Sequence, residues 1–404
     1  MVRITQNGYV NRLRKLGAPT LALALLAACA SPSPPKPNAA VVKQFAGQGY
    51  ITDDRYGVAT TSAAWDGTNG RFDLALTVPT KGGPFPLVIY LPALGESSSA
   101  GAAWRTAWAE GGYAVVSIQL LAEDTGAFSS AQARTGDFSA LYRERYSAKV
   151  MTARIGALRA ALAELSRRHD RKEAPLDRID LSRIAVAGYD LGAYTAMVIA
   201  GESIRDIASL SLQIPISAVI ALSPYSDFSG AAFAERYGGI RGPVLSVTGD
   251  NDVDSVGLVK SPSVRKAPFE FMPGGDKYLL ALSDIQHRTL AGGEIQQETD
   301  ENRPPEKAAR SGGNPQDGGR SGGRRRGGGS AGGSSADGQR GSERSAARGG
   351  VEYSLTAHAI SVSLIQGVTN AFLDAYLKND PIAREWLEKD ARRWIKDRGE
   401  IRRK

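Results

Sequence analysis

One short segment, residues 184–196, constrains the fold of this chain more than any other. It reads IAVAGYDLGAYTA: an apolar run typical of a buried strand enters a turn bounded by Gly188 and Gly192 and continues as an apolar helix. The two glycines let the helix pack closely against the strand. A strand–turn–helix unit of this kind holds the residue at its apex in a strained turn with its side chain presented to a substrate. The apex residue here is Asp190.

Two later segments supply an acid and a histidine, in that order along the chain. Residues 244–254 (VLSVTGDNDVD) read as a strand that ends in an acidic cluster, and residues 275–287 (GDKYLLALSDIQH) read as a last strand followed by His287. A carboxylate that orients a histidine beside a reactive apex residue is the arrangement of hydrolytic triads. Asp252 is the predicted acid, with Asp250 and Asp254 as competitors.

The histidine and cysteine content limits the chemistry available. The chain has three histidines and one cysteine, Cys29, which excludes an internal disulfide and any Cys-based metal cluster. His169 lies in a charged segment that is typical of a solvated surface, and His358 lies in the final predicted helix, where packing is the expected role. His287 is therefore the candidate base, and we predict neither a metal nor a cofactor.

Alternation of apolar runs with helical stretches predicts an α/β fold. We expect a mostly parallel central sheet with helices on both faces. Only about twenty residues separate the strand ending at Leu222 from the strand starting at Val244, which leaves no room for a lid domain. The predicted strands are 72–78, 87–91, 113–118, 184–187, 218–222, 244–248 and 278–282, and the predicted helices are 99–110, 142–168, 193–201 and 354–377.

These segments resemble the α/β-hydrolase superfamily. The resemblance is to the group that includes platelet-activating-factor acetylhydrolase-like esterases, dienelactone-hydrolase-like proteins and lidless polyester hydrolases. Further matching segments are residues 84–90 (PFPLVIY) leading into 92–95 (PALG), and the closing run 371–378 (AFLDAYLK). The resemblance covers most of residues 65–291 and 354–388.

The resemblance assigns roles to residues of this chain by position. It implies that Asp252 is the triad acid, that His287 is the triad base, and that the backbone N–H groups of Leu94 and Leu191 form an oxyanion hole. It also implies an α/β-hydrolase fold. Asp190 stands where the esterases have Ser and the dienelactone hydrolases have Cys.

That substitution leaves three functions open. In the first, the chain hydrolyses small or lipid-like carboxylic esters by activating water, because a carboxylate that attacks an ester forms an energetically poor mixed anhydride. In the second, Asp190 is a nucleophile, as in haloalkane dehalogenases and epoxide hydrolases, although those usually have Trp after the Asp and a helical cap. In the third, the domain is a catalytically inactive binding or structural module, in which the retained Asp252 and His287 persist as a buried ion pair.

The amino terminus resembles a bacterial lipoprotein signal. Basic residues up to Lys15 precede an apolar run, 21–26, that is too short to span a bilayer, and the run ends in the lipobox-like sequence LAAC at Cys29. We predict a signal peptide over 1–28, lipid attachment at Cys29 and an extended tether over 29–45. Ala30 after the cysteine resembles the outer-membrane sorting pattern, so we expect anchoring in the cell envelope, at the outer membrane and facing the periplasm.

The positive charge of the chain is concentrated outside the predicted domain. Of the formal net charge of +8, residues 1–28, 301–350 and 391–404 together carry +14, which leaves −6 for the rest. We therefore expect an ester substrate and a membrane as partners, and no nucleic acid. The Gly/Ser/Arg-rich residues 292–350 predict a disordered insert. The hydrolase domain then comprises residues 46–291 and the helices of 351–390, residues 391–404 form a basic tail, and the oligomeric state is left open.

Overall fold

A computed structural model describes residues 35–293 and 336–404, apart from positions 53, 68, 69, 206, 208, 209, 211, 213, 229, 230, 255, 256 and 260. The described residues from position 36 onward form one compact unit. The predicted signal peptide, Cys29 and most of the predicted insert lie outside the described residues. No helix in the described part of the chain is long and apolar enough to cross a membrane.

A nine-stranded sheet forms the centre of the unit, in the order β1-β2-β4-β3-β5-β6-β7-β8-β9. The strands from β3 to β8 run parallel to one another, whereas β1, β2 and β9 pair antiparallel at the two sides. The chain is therefore a mixed α/β protein with one mostly parallel sheet, as predicted. The strands are β1 Val58–Gly67, β2 Gly70–Pro79, β3 Phe85–Leu91, β4 Ala114–Gln119, β5 Ile179–Tyr189, β6 Ala218–Leu222, β7 Val244–Asn251, β8 Lys277–Gln286 and β9 Gly399–Arg403.

Helices cover both faces of the sheet, because its central strands are apolar on both sides. In β3, Leu87 and Ile89 belong to the core with α6 and α7, whereas Val88 and Tyr90 belong to the core with α2 and α11. The α-helices of the described residues are α1 Ala39–Ala46, α2 Ala102–Glu110, α3 Ala122–Thr125, α4 Ala131–Arg134, α5 Phe138–Arg145, α6 Ala148–Asp170, α7 Leu191–Ala200, α8 Phe233–Tyr237, α9 Ala267–Phe271, α10 His287–Leu290, α11 Ala336–Leu377, α12 Pro381–Lys389 and α13 Ala391–Ile395.

Two predicted helices have different bounds in the structure. The helix predicted over 142–168 is two helices, α5 and α6, because Ser147 caps α6 by accepting the N–H of Val150. The helix predicted over 354–377 is the second half of α11, which begins at Ala336. Residues 336–350 of the predicted insert are thus helical.

The predicted basic tail, residues 391–404, is part of the domain. It forms α13 and the edge strand β9, which pairs with β8. The prediction failed because the basic side chains find acidic partners: Arg402 pairs with Glu270 at 2.5 Å, and Arg403 pairs with Asp276 at 3.1 Å. Ile401, on the same strand, packs against the core.

Candidate functional site

Asp190 occupies a strained turn between β5 and α7. Its backbone has φ 51° and ψ −109°, a region that residues other than glycine rarely adopt. The turn is tight on both sides: a Cβ on Gly192 would lie 1.9 Å from the carbonyl oxygen of Leu91, and one on Gly188 would lie 2.3 Å from the backbone of Gly192. Because neither position carries a Cβ, α7 can pack directly against the ends of β3 and β5. Asp190 is only 7% exposed at this apex.

His287 follows β8 and faces a carboxylate at each ring nitrogen. Its Nδ1 lies 2.8 Å from Oδ1 of Asp252, and its Nε2 lies 4.0 Å from Oδ1 of Asp190. Because a carboxylate only accepts hydrogen bonds, the neutral ring carries its proton on Nδ1 and turns the lone pair of Nε2 toward Asp190. The structure thus brings the three predicted side chains into one cluster, with the histidine in the middle.

Asp252 is fully buried behind His287. The hydroxyl of Thr248 donates to Oδ2 at 2.7 Å, and the guanidinium of Arg265 lies 3.3 Å from Oδ1. Burial acts to raise the pKa of Asp252, but the hydrogen bond from His287 and the charge of Arg265 outweigh it, so this pKa is lower than that of an ordinary aspartate. The carboxylate stays ionised and holds the imidazole in one orientation.

Ser223 joins this cluster, and the sequence analysis did not identify it. It is the first residue after β6, with φ 56°, and its hydroxyl lies 2.8 Å from Oδ1 of Asp252 and 2.9 Å from Nδ1 of His287. Arg265 donates to its carbonyl oxygen at 3.2 Å. The only sequence signal is a polar residue directly after a parallel strand, at the edge of the sheet where ligands usually bind.

Tyr146 is a second residue that sequence reasoning missed. Its hydroxyl donates to Oδ2 of Asp190 at 2.6 Å, so the two carboxylate oxygens have different environments. Burial and the charge of Asp190 raise the pKa of Tyr146 well above that of an ordinary tyrosine, so it remains a donor. Its ring packs among those of Tyr142, Tyr194 and Tyr225, at centroid distances of 5.8, 6.0 and 4.7 Å.

Tyr146 ends a cover segment, residues 122–146, which joins β4 to α6 and contains α3, α4 and α5. The segment is held against the loop after β3, because the N–H of Gly95 donates to the carbonyl oxygen of Asp124 at 2.9 Å. Gly95 has φ 82°, and a Cβ there would lie 2.2 Å from the ring of Phe128. The described residues between β6 and β7 contain only the short helix α8.

The two residues of the predicted oxyanion hole lie on adjoining segments. Leu191 is the first residue of α7, and Leu94 lies in the loop after β3, whose start touches Gly192. In the same loop Glu96 accepts the N–H of Ala93 at 2.9 Å. Burial raises the pKa of Glu96 to about 7, and the nearby charge of Asp190 adds to that rise. The role of the N–H groups of Leu94 and Leu191 remains a prediction.

The competing acids and histidines have other partners, although Asp254 also lies 3.7 Å from the guanidinium of Arg265. Asp254 accepts the N–H groups of Leu258 and Val259 at 2.8 and 2.7 Å, and the side chain of Asp250 is largely exposed. His169 lies beside Asp170 near the end of α6, and Nδ1 of His358 lies 3.5 Å from the hydroxyl of Thr289. In the described part of the chain no three His, Cys, Asp or Glu side chains are grouped so that they could hold a metal ion.

Comparison with known proteins assigns no family to the chain. The chain matches no profile of a known protein family, and no curated protein is significantly similar to it.

Proposed function

We propose that the chain is an α/β-hydrolase-fold enzyme that hydrolyses small or lipid-like carboxylic esters, anchored to the bacterial cell envelope through Cys29. Support for the fold comes from the mostly parallel sheet and from the strained turn that presents Asp190 at the carboxyl end of β5. The observation that carries the activity is the geometry of His287, with Asp252 on Nδ1 and Asp190 4.0 Å from Nε2.

Water is the proposed nucleophile. Two atoms 4.0 Å apart are too far for a direct hydrogen bond, but both can lie about 2.8 Å from one water oxygen placed to the side of the line that joins them. His287 then removes a proton from this water while its oxygen attacks the ester carbonyl carbon, and Asp190 orients the water. The N–H groups of Leu94 and Leu191 are proposed to bind the oxygen that becomes negatively charged.

The second candidate is an enzyme in which Asp190 itself attacks a saturated carbon. A specific contact favours it: Tyr146 holds Oδ2, which leaves Oδ1 as the attacking atom, and Nε2 of His287 is placed to activate water for the second step. The cover segment also favours this candidate, because these families usually have a helical cap over the Asp. Here the helices that lie near Asp190 come from the connection between β4 and α6.

A single-turnover experiment in ¹⁸O-labelled water separates these functions. Excess full-length chain is mixed with an ester, and the acid and alcohol products are analysed by mass spectrometry. Attack by water on the carbonyl carbon places the label in the acid, whereas attack by Asp190 on the alkyl carbon leaves both products unlabelled and places the label later in the Asp190 carboxylate. His287→Ala should abolish turnover, and His358→Ala, a histidine outside the cluster, should not.

Absence of turnover would refute the proposed activity. If the wild-type chain hydrolyses neither short-chain nor lipid-like esters, nor substrates with a leaving group on a saturated carbon, the inactive binding module is the remaining function.

A further inference from the structure

Glu96 is a carboxyl group beside the candidate site that the mechanism above does not use. It lies in the loop after β3, and several hydrogen bonds hold its backbone in place. Its N–H donates to the carbonyl oxygen of Ala93 at 3.3 Å, and its own carbonyl oxygen accepts from the side chain of Gln119 at 2.5 Å. With Oε2 accepting the N–H of Ala93, the carboxyl group is directed back over the start of its own loop.

This loop lies against the strained turn. Leu91, the last residue of β3, pairs with Gly188 of β5, and Gly192 packs on the carbonyl oxygens of Leu91 and Pro92. A carboxyl group hydrogen-bonded to the N–H of Ala93 is therefore next to the segment that carries Asp190. The charge of Asp190 raises the pKa of Glu96 and that of His287 lowers it, and the charge of Glu96 in turn helps to raise the pKa of Tyr90 and of Tyr189.

With a pKa of about 7, Glu96 carries a proton in roughly half of the molecules at neutral pH. Burial is the main cause of its raised pKa of about 7, the N–H of Ala93 acts in the opposite direction, and the charge of Asp190 raises it further. Two neighbouring carboxyl groups in different environments are a common arrangement for sharing acid and base roles.

The orientation of His287 bears on how the proton of Glu96 could take part in the reaction. In a hydrolase with serine at the turn, the protonated histidine passes its proton to the leaving group. Here the Nε2–H of a protonated His287 faces Oδ1 of Asp190 at 4.0 Å, and Nδ1–H is bound to Asp252. Glu96, in the loop that packs against the same turn, holds a second proton that a departing alkoxide can take.

We propose that Glu96 is the general acid that protonates the leaving oxygen, and that the substrates are accordingly esters of aliphatic alcohols. This inference rests on the proposed ester hydrolysis. His287 takes one proton from water, the hydroxide oxygen bonds to the carbonyl carbon, and a tetrahedral intermediate forms. The carbon–oxygen bond to the alcohol then breaks, and its electron pair takes the proton of Glu96. Solvent returns that proton to Glu96, and His287 releases its own, so one ester and one water give one acid and one alcohol.

The leaving group provides the test. An aliphatic alkoxide is too basic to depart without a proton, whereas p-nitrophenolate departs unaided. Glu96→Gln in the full-length chain keeps an oxygen to accept the N–H of Ala93 and removes only the acid. We expect kcat for an alkyl ester to fall about 100-fold or more, in the range of a lost general acid, while kcat for the matching p-nitrophenyl ester falls less than about threefold.

The pH profile gives a second readout. With an alkyl ester the wild-type rate should decline as the pH rises through about 7, because Glu96 loses its proton there. The decline should be absent with the p-nitrophenyl ester and absent from the Glu96→Gln profile.

Other results would contradict either the role of Glu96 or the proposed function itself. If Glu96→Gln slows both esters equally, or leaves the alkyl ester unaffected, Glu96 is not the acid. If the wild-type chain cleaves neither ester, the proposed function itself fails. A normal p-nitrophenyl rate in Glu96→Gln also shows that the variant is folded.

Discussion

The hydrogen bond between Tyr146 and Asp190 can be removed by one substitution, Tyr146→Phe. The hydroxyl donates to Oδ2 at 2.6 Å, while Oδ1 faces His287 across 4.0 Å. Without the hydroxyl the carboxylate is free to rotate about its Cβ–Cγ bond and to pair directly with His287. We expect this direct pair to close the gap in which the nucleophilic water is proposed to lie.

The expected magnitude follows from the kind of bond that is lost. A hydrogen bond to a charged group is worth about 1.5–3 kcal/mol, and about 1.4 kcal/mol corresponds to a factor of ten in rate. Asp190 is buried, so solvent replaces little of the interaction. We therefore expect kcat to fall about 10- to 100-fold with little change in KM, because Tyr146 positions Asp190 rather than the substrate.

The control is Tyr142→Phe. Tyr142 stacks on Tyr146 with a centroid distance of 5.8 Å and is as deeply buried, but no hydrogen bond joins its hydroxyl to Asp190. Steady-state kinetics of both variants on one ester, together with urea unfolding, separates catalysis from stability. Equal rates in the two variants would refute the positioning role of Tyr146.

Three further predictions concern the turn and the acid. Asp190→Ser should release a burst of p-nitrophenol from a p-nitrophenyl ester as the serine is acylated, seen by stopped-flow absorbance; a linear onset would contradict a nucleophile position at 190. Gly192→Ala should lower the free energy of unfolding by about 3 kcal/mol or more, because its Cβ would lie 1.9 Å from the backbone of Leu91, whereas Gly156→Ala, with open space around it, should not destabilise. Because the pKa of Asp252 is lower in the folded than in the unfolded chain, its ionised form stabilises the fold fully above about pH 4, and this contribution is lost as the pH falls through the folded pKa. The difference in the free energy of unfolding between wild type and Asp252→Asn should therefore become smaller below about pH 4.

The strands that could be predicted from the sequence are those whose apolar residues face both helical layers. β3 and β6 are continuous apolar runs, β4 and the first half of β7 are largely apolar, and the structure confirms strands in all four places. β1 and β9 were not predicted, because they lie at the sheet edges and carry small, polar or charged residues such as those of GEIRR. Polar and charged residues on an edge strand keep other strands from pairing with it. They also leave little apolar periodicity from which the strand could be predicted.

Only the parts of the site that follow a local sequence pattern could be predicted. The strained turn, the strand ending near Asp252 and the strand ending at His287 are local patterns. Tyr146 and Ser223 are instead brought to the cluster by tertiary packing, across 44 residues to Asp190 and 29 residues to Asp252. Such contacts depend on how the cover segment and β6 are placed, which no local pattern encodes.

The geometry of Asp190 bears on whether the site is a relic. A backbone at φ 51° and ψ −109° costs of order 1–3 kcal/mol in a residue other than glycine. A buried ion pair of Asp252 with His287, at 2.8 Å, would persist in an inactive module and needs no particular residue at the apex of the turn. Asp190 lies 4.0 Å from Nε2 of His287, and it gives one oxygen to Tyr146 while the other faces the imidazole. A carboxylate held in a strained turn beside an oriented imidazole favours our proposal of a hydrolytic reaction over packing alone.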